Sequence, residues 1–158
     1  MKKQDIITLA NLGIMSMTAH TLKPAQAYKA FKLKREMEKA YTEISEEHKA
    51  IREANGLTEE YTNKIQAILD KININLNVSE DERRELLANN EKNRTVDSLI
   101  LEANKGEIKI DIKTIPFEDW RLLQSENRAK NINGREFDIL GGKAEVILEG
   151  IFWEEPKE

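Results

Sequence analysis

Residues 24–72 read PAQAYKAFKLKREMEKAYTEISEEHKAIREANGLTEEYTNKIQAILDKI, and this stretch decides the fold. Pro24 suits the first position of a helix, where its missing N–H costs no bond. From there Ala30, Met37, Tyr41, Ile44, His48 and Ile51 recur mostly three or four residues apart, so on a helix they share one face. Lysines, arginines and glutamates fill most of the remaining surface. Asn55-Gly56 supplies a left-handed stop, ending the helix near Ala54. Thr58 can cap a second helix, in which Tyr61, Ile65, Ile68 and Ile72 repeat the spacing. Two helices with matching stripes and a short break between them are expected to fold back as an antiparallel hairpin over 24–72.

Upstream, residues 1–23 carry two lysines and then Ile6, Ile7, Leu9, Ala10, Leu12, Ile14, Met15 and Met17. Lysines before an apolar run invite a signal-peptide reading. Asp5, Asn11 and Gly13 interrupt the run, however, and no small-x-small cleavage site follows. It is also much shorter than the ~20 residues a membrane span needs. The segment is expected to be a docking helix of the mature protein, neither a secretion signal nor a membrane anchor.

Downstream, 73–153 reads as a mixed α/β part. Ile72, Ile74, Leu76 and Val78 alternate with asparagines, which predicts a short strand or an extended connector. Ser79 and Glu82 form a capping box that opens a charged helix to about Leu87. Asn89, Asn90 and Asn93 predict a break, after which Thr95 caps a short helix with Val96, Leu99, Ile100 and Ala103. In 107–114, Ile108, Ile110 and Ile112 alternate with Lys109, Asp111 and Lys113, the best strand pattern in the chain. Pro116 opens a helix with Phe117, Trp120, Leu122 and Leu123 that ends by Asn131–Gly134. Gly141-Gly142 reads as a hairpin-type turn. The segment Ala144–Trp153 fits either period, and the preceding turn and β-branched content favour a strand. Residues 154–158 are a charged tail. The expectation is a single α+β domain, a long antiparallel helical hairpin packed with short helices and a small, mostly antiparallel sheet.

Composition narrows the chemistry. The 158 residues are 39% hydrophobic and 34% charged, with no cysteine and a formal charge of -4. Disulfide frameworks, thiolate metal sites and cysteine nucleophiles are excluded. Only His20 and His48 offer imidazoles, and the residues three and four away from each include no strong metal ligand. His48 sits on the apolar stripe, which suits a hydrogen-bonded packing role. Serines 16, 45, 79, 98 and 125 lie in no nucleophile motif, and the seven glycines form no phosphate loop. Paired glutamates at 46–47, 59–60 and 154–155 read as solvated surface. Lys32, Lys34 and Arg35 are the densest basic cluster, but acidic residues follow within a turn, so no nucleic-acid partner is expected. Asp111 reads as the exposed side of an amphipathic strand. Trp120, Phe152 and Trp153 are core residues first and candidate protein-interface anchors second. No catalytic, metal or cofactor-binding residue is predicted, and the chain reads as non-enzymatic.

The order of features also resembles a known pattern. An apolar start leads to Leu22-Lys23-Pro24-Ala25-Gln26-Ala27-Tyr28-Lys29-Ala30, which opens a long charged helix. Later come Gly106-Glu107-Ile108-Lys109-Ile110-Asp111-Ile112 and Ile115-Pro116-Phe117-Glu118-Asp119-Trp120. This resembles a widespread family of small bacteriophage proteins of unknown function, encoded among tail and late structural genes. The resemblance implies no catalytic residue. It implies a tail or virion accessory or assembly protein, with other phage proteins or a second copy as partners, placed in the virion or the host cytoplasm. The alternative is a small phage regulator or anti-defence protein that binds a host protein or ligand. A hydrolase or ligand sponge using dispersed carboxylates has no local support. Self-association or partner docking is expected to use exposed helical surface and the C-terminal segment, with Trp153 as an anchor.

Overall fold

The structure is a computed structural model that describes residues 1–156; Lys157 and Glu158, the end of the predicted tail, lie outside the described residues. The fold is α+β. Among the described residues, six α-helices accompany a two-stranded antiparallel sheet. The chain divides into two compact units, 1–44 with 106–158, and 45–105. These boundaries fall inside the long helix and before the extended segment.

The first unit starts with α1 (Lys3–Asn11), whose Ile6 and Leu9 are buried, as a docking helix requires. A left-handed Gly13 and a short 3₁₀ turn (Ile14–Ser16) follow. Helix α2 (Pro24–Ala54) begins and ends as its sequence predicts, with Gly56 at φ +81° past its end. In this unit α2 contributes Ala30, Leu33, Met37, Ala40 and Ile44 to the core, spaced three or four apart.

Residues 107–114 are extended and their isoleucines are half-buried while Lys109, Asp111 and Lys113 are exposed, so the alternation holds. They are not, however, a strand of a sheet. Only the ends pair. Lys2 bridges Glu107, and the Met1 ammonium donates to the Ile108 carbonyl at 3.0 Å. At the other end Ile115 bridges Trp153 and its N–H donates to the Phe152 carbonyl at 2.7 Å. Between them the segment meets α2 through side chains: the Lys29 ammonium donates to the Thr114 carbonyl at 3.0 Å, and Lys32 pairs with Asp111 at 2.8 Å. A helix has no free backbone edge to offer, so the isoleucines bury without a hydrogen-bonded ladder.

Pro116 precedes α5 (Phe117–Glu126), which is shorter than predicted. The Asn133-Gly134 pair, expected to end a helix, is instead a hairpin turn, with both residues at positive φ (51° and 78°). It joins β1 (Lys130–Ile132) to β2 (Arg135–Phe137), with Asn131 opposite Glu136. Gly141-Gly142 makes no hairpin. Gly142, at φ +53°, leads into α6 (Lys143–Leu148), so the predicted strand over 144–153 is a short helix followed by a turn. Packing decided the ambiguous period: Ala144 and Leu148, four apart, are buried while Val146 stands in solvent.

The second unit holds the last turns of α2 with α3 (Glu59–Asn73) and α4 (Glu80–Ala103). Thr58 caps α3 by accepting the Tyr61 N–H, and Ser79 with Glu82 completes the capping box of α4. Residues 72–73 belong to α3, and only the connector beyond them is irregular, turning at a left-handed Asn75. The break predicted at Asn89–Asn93 does not form. The Asn93 amide donates to the Asn89 carbonyl and side-chain oxygen, and the Thr95 hydroxyl donates to the Glu91 carbonyl. These polar side chains are satisfied on the helix itself, so nothing competes with the backbone ladder, and Thr95 is not a cap.

Within the second unit the unbroken α4 returns along α3. Lys71 meets Glu82 at 2.8 Å, Lys64 meets Glu85 at 3.1 Å, and Lys92 lies 3.9 Å over the Tyr61 ring. His48 of α2 bonds Asn104 at the far end, 2.7 Å away. The partners descend on α4 as they ascend on α3, so α3 and α4 are antiparallel neighbours.

Candidate functional site

The three predicted interface residues lie in the core of the first unit. Trp120 and Phe152 are 0% exposed and Trp153 is 3% exposed. Trp120 and Trp153 stack with centroids 5.5 Å apart and planes within 8°. Phe152 meets the Trp120 ring edge-on at 6.3 Å, and Phe117 tilts against Trp153 at 5.6 Å. The Trp153 indole N–H donates to the Glu145 carbonyl at 3.3 Å. Helix α5 supplies Trp120, and the turn after α6 supplies the other two. The expectation of a C-terminal docking anchor is corrected: α6 folds the C-terminal segment inward, so the rings are consumed by packing within the chain.

Around that core, a groove of about 620 Å³ opens between the start of α2 and residues 114–118 and 154–156. Its polar groups are Gln26, Lys29, Glu118, Glu154 and Glu155. Lys29 is committed to the Thr114 carbonyl, and the Gln26 side-chain oxygen is buried without a partner. Exposed carboxylates beside one engaged lysine make neither a nucleophile–base pair nor a metal cage. Among the described residues no group of three or more His, Asp or Glu side chains is placed to hold a metal ion. His48 bonds Asn104, as its place on the apolar stripe predicted. No helix among the described residues is long and apolar enough to cross a membrane.

The shifted proton affinities follow from ion pairs and burial. Asp111 is held below the usual carboxylate range by its bond to Lys32, which is itself raised by the same bond. Glu82 is lowered by Lys71 and by the Ser79 N–H of the capping box. The Tyr61 phenol is pushed up, first by burial and then by the Glu85 charge.

Two surface features remain. In the second unit Ile65, Ile68 and Val96 are buried, while Leu69, Ile72, Ile74, Leu76, Leu87, Leu99 and Leu101 are exposed. Ile72, Leu76, Val78 and Leu86 wall a depression of about 390 Å³ at the turn from α3 to α4, with Arg83 on its rim. In the first unit Tyr28 and Phe31 stand out from α2. Sequence reasoning missed both rings, although a signal was present: they fall off the phase of Ala30, Leu33, Met37 and Ala40. No family model, no curated protein and no solved structure matches the chain.

Proposed function

We propose that the chain is a non-enzymatic bacteriophage structural or assembly accessory protein, associated with the tail or virion, that acts through protein–protein contacts. Its partners are other phage proteins or a second copy, met in the virion or the host cytoplasm. The observation that carries this reading is the exposed apolar surface at the α3–α4 turn. Ile74 and Leu76 are 67% and 56% exposed at the α3–α4 turn, next to a half-exposed Ile72. Contiguous apolar surface of this kind marks contact sites on soluble proteins. Burying either side chain against another surface is worth roughly 1.5–3 kcal/mol. The arrangement of the chain, from Leu22–Ala30 to Ile115–Trp120, supports the phage assignment through the resemblance described above.

The test uses the double variant Ile74→Asp, Leu76→Asp beside the wild type. Purified virions are probed for the protein, and light scattering follows association across a concentration series. The reading expects the wild type in particles or in a defined assembly, and the variant folded but absent from it. A monomeric wild type that is missing from particles overturns the reading.

A further inference from the structure

The first half of α2, with Lys23 just before it, has a different character from the remainder of this acidic chain. Between Lys23 and Lys39 six cations accompany only two carboxylates, Glu36 and Glu38. On the same stretch Tyr28 and Phe31 are 67% and 55% exposed. Tyr28, Phe31 and Arg35 are spaced three and four apart, so they form one outward stripe. Beside it lies a cavity of about 370 Å³ walled by Ala25, Tyr28, Lys29, Lys32 and Lys113. Lys29 and Lys32 spend their ammonium groups on Thr114 and Asp111, which turns their aliphatic stems toward the cavity. Lys23 and Arg35 form no ion pair with a carboxylate among the described residues, and Lys113 lies on the cavity wall near Asp111, without a direct salt bridge to it. An apolar slot on a helix face that carries these cations is complementary to an apolar side chain flanked by carboxylates.

We infer that this face of α2 docks a short acidic segment of a partner protein, one apolar side chain entering the slot beside Tyr28 while carboxylates meet Arg35, Lys113 and Lys23. This rests on the reading that the protein works through protein contacts, and it names a surface of the first unit. The slot, walled by lysine stems and Tyr28, takes an apolar side chain, and the chain's formal charge of -4 disfavours an extended phosphate backbone. Both features favour a peptide over a nucleic acid. The cations supply a salt-dependent encounter, and the ring with the slot supplies the contact that persists.

The test titrates the full chain against a fluorescent peptide alternating glutamate and leucine, read by anisotropy. Controls are the same peptide with alanine for leucine, one with lysine for glutamate, and an oligothymidylate. Binding of the first peptide is expected, weakening as salt rises from about 50 to about 300 mM. Tyr28→Ser and Arg35→Glu are each expected to weaken it by roughly tenfold. Both positions are exposed, so the variants should keep the wild-type circular dichroism. Equal or tighter binding of the oligothymidylate overturns the inference, and so does peptide binding indifferent to both variants, or none at all. If the peptide fails while Ile74→Asp, Leu76→Asp still abolishes assembly, this surface is wrong and the proposed function stands.

Discussion

Truncating Trp153 to alanine tests whether the C-terminal rings belong to the core or to an interface. The side chain is 3% exposed, stacks on Trp120, leans on Phe117 and donates its N–H to Glu145. Its backbone is tied as well: the Gly150 N–H donates to the Trp153 carbonyl at 2.7 Å, and Ile115 bridges it. Removing a buried tryptophan costs about 3–5 kcal/mol through lost contacts and the cavity left behind. Against a typical total of about 5–15 kcal/mol, that is a large share of the stability. At roughly 2–4 °C per kcal/mol for a chain of this size, the melting temperature should fall by about 6–20 °C. Thermal melts by circular dichroism read the loss, and light scattering on the same samples reads assembly. Trp153→Phe keeps a ring in the stack and should lose less than half as much. A Trp153→Ala protein that melts like the wild type but changes its oligomeric state would refute the packing argument.

Asn127→Ala should cost about 2–3 kcal/mol in urea unfolding, because it orphans buried backbone groups. Asn127 is 0% exposed, accepts the Thr18 N–H at 2.9 Å and donates to the Thr18 and Leu123 carbonyls at 2.8 Å. Gly13→Ala should lower the melting temperature, since Gly13 lies at φ +90° and a Cβ there would run into the Ile132 side chain. Ser79→Ala removes the cap of α4 and should cost about 1 kcal/mol, with hydrogen exchange faster in the first turn. Asp111→Asn should matter at neutral pH and not in acid. The Asp111 carboxyl is held low by Lys32 in the folded chain, so the unfolded chain takes up its proton first. The stabilisation is therefore full above the usual carboxylate range and is lost as pH falls through that range and below it. Denaturation midpoints of wild type and variant should converge at low pH, and the gap at neutral pH should shrink with salt because the pair is exposed.

Elements with local signals were legible in the sequence. Pro24 and Gly56 bound α2, Thr58 caps α3, and Ser79 with Glu82 opens α4, because a cap or a left-handed stop is a property of a few adjacent residues. The alternation of Ile108, Ile110 and Ile112 likewise marked an extended segment with one buried side. Whether that segment had a backbone neighbour was not written in it: the partner it packs on is a helix nearly eighty residues earlier, which offers side chains and no edge. Local signals also failed where two readings had similar cost. Asn133-Gly134 ends helices and turns hairpins equally well, and 144–153 satisfies both periods. Tertiary packing chose between them by burying Ala144, Leu148, Phe152 and Trp153 together around Trp120. The same choice moved the candidate surface. Hydrophobicity told which side chains seek burial, but only the folded chain decides which find it, because burial depends on partners distant in sequence. Phe152 and Trp153 found each other's neighbours inside the first unit, whereas Tyr28, Phe31, Ile74 and Leu76 were left facing water.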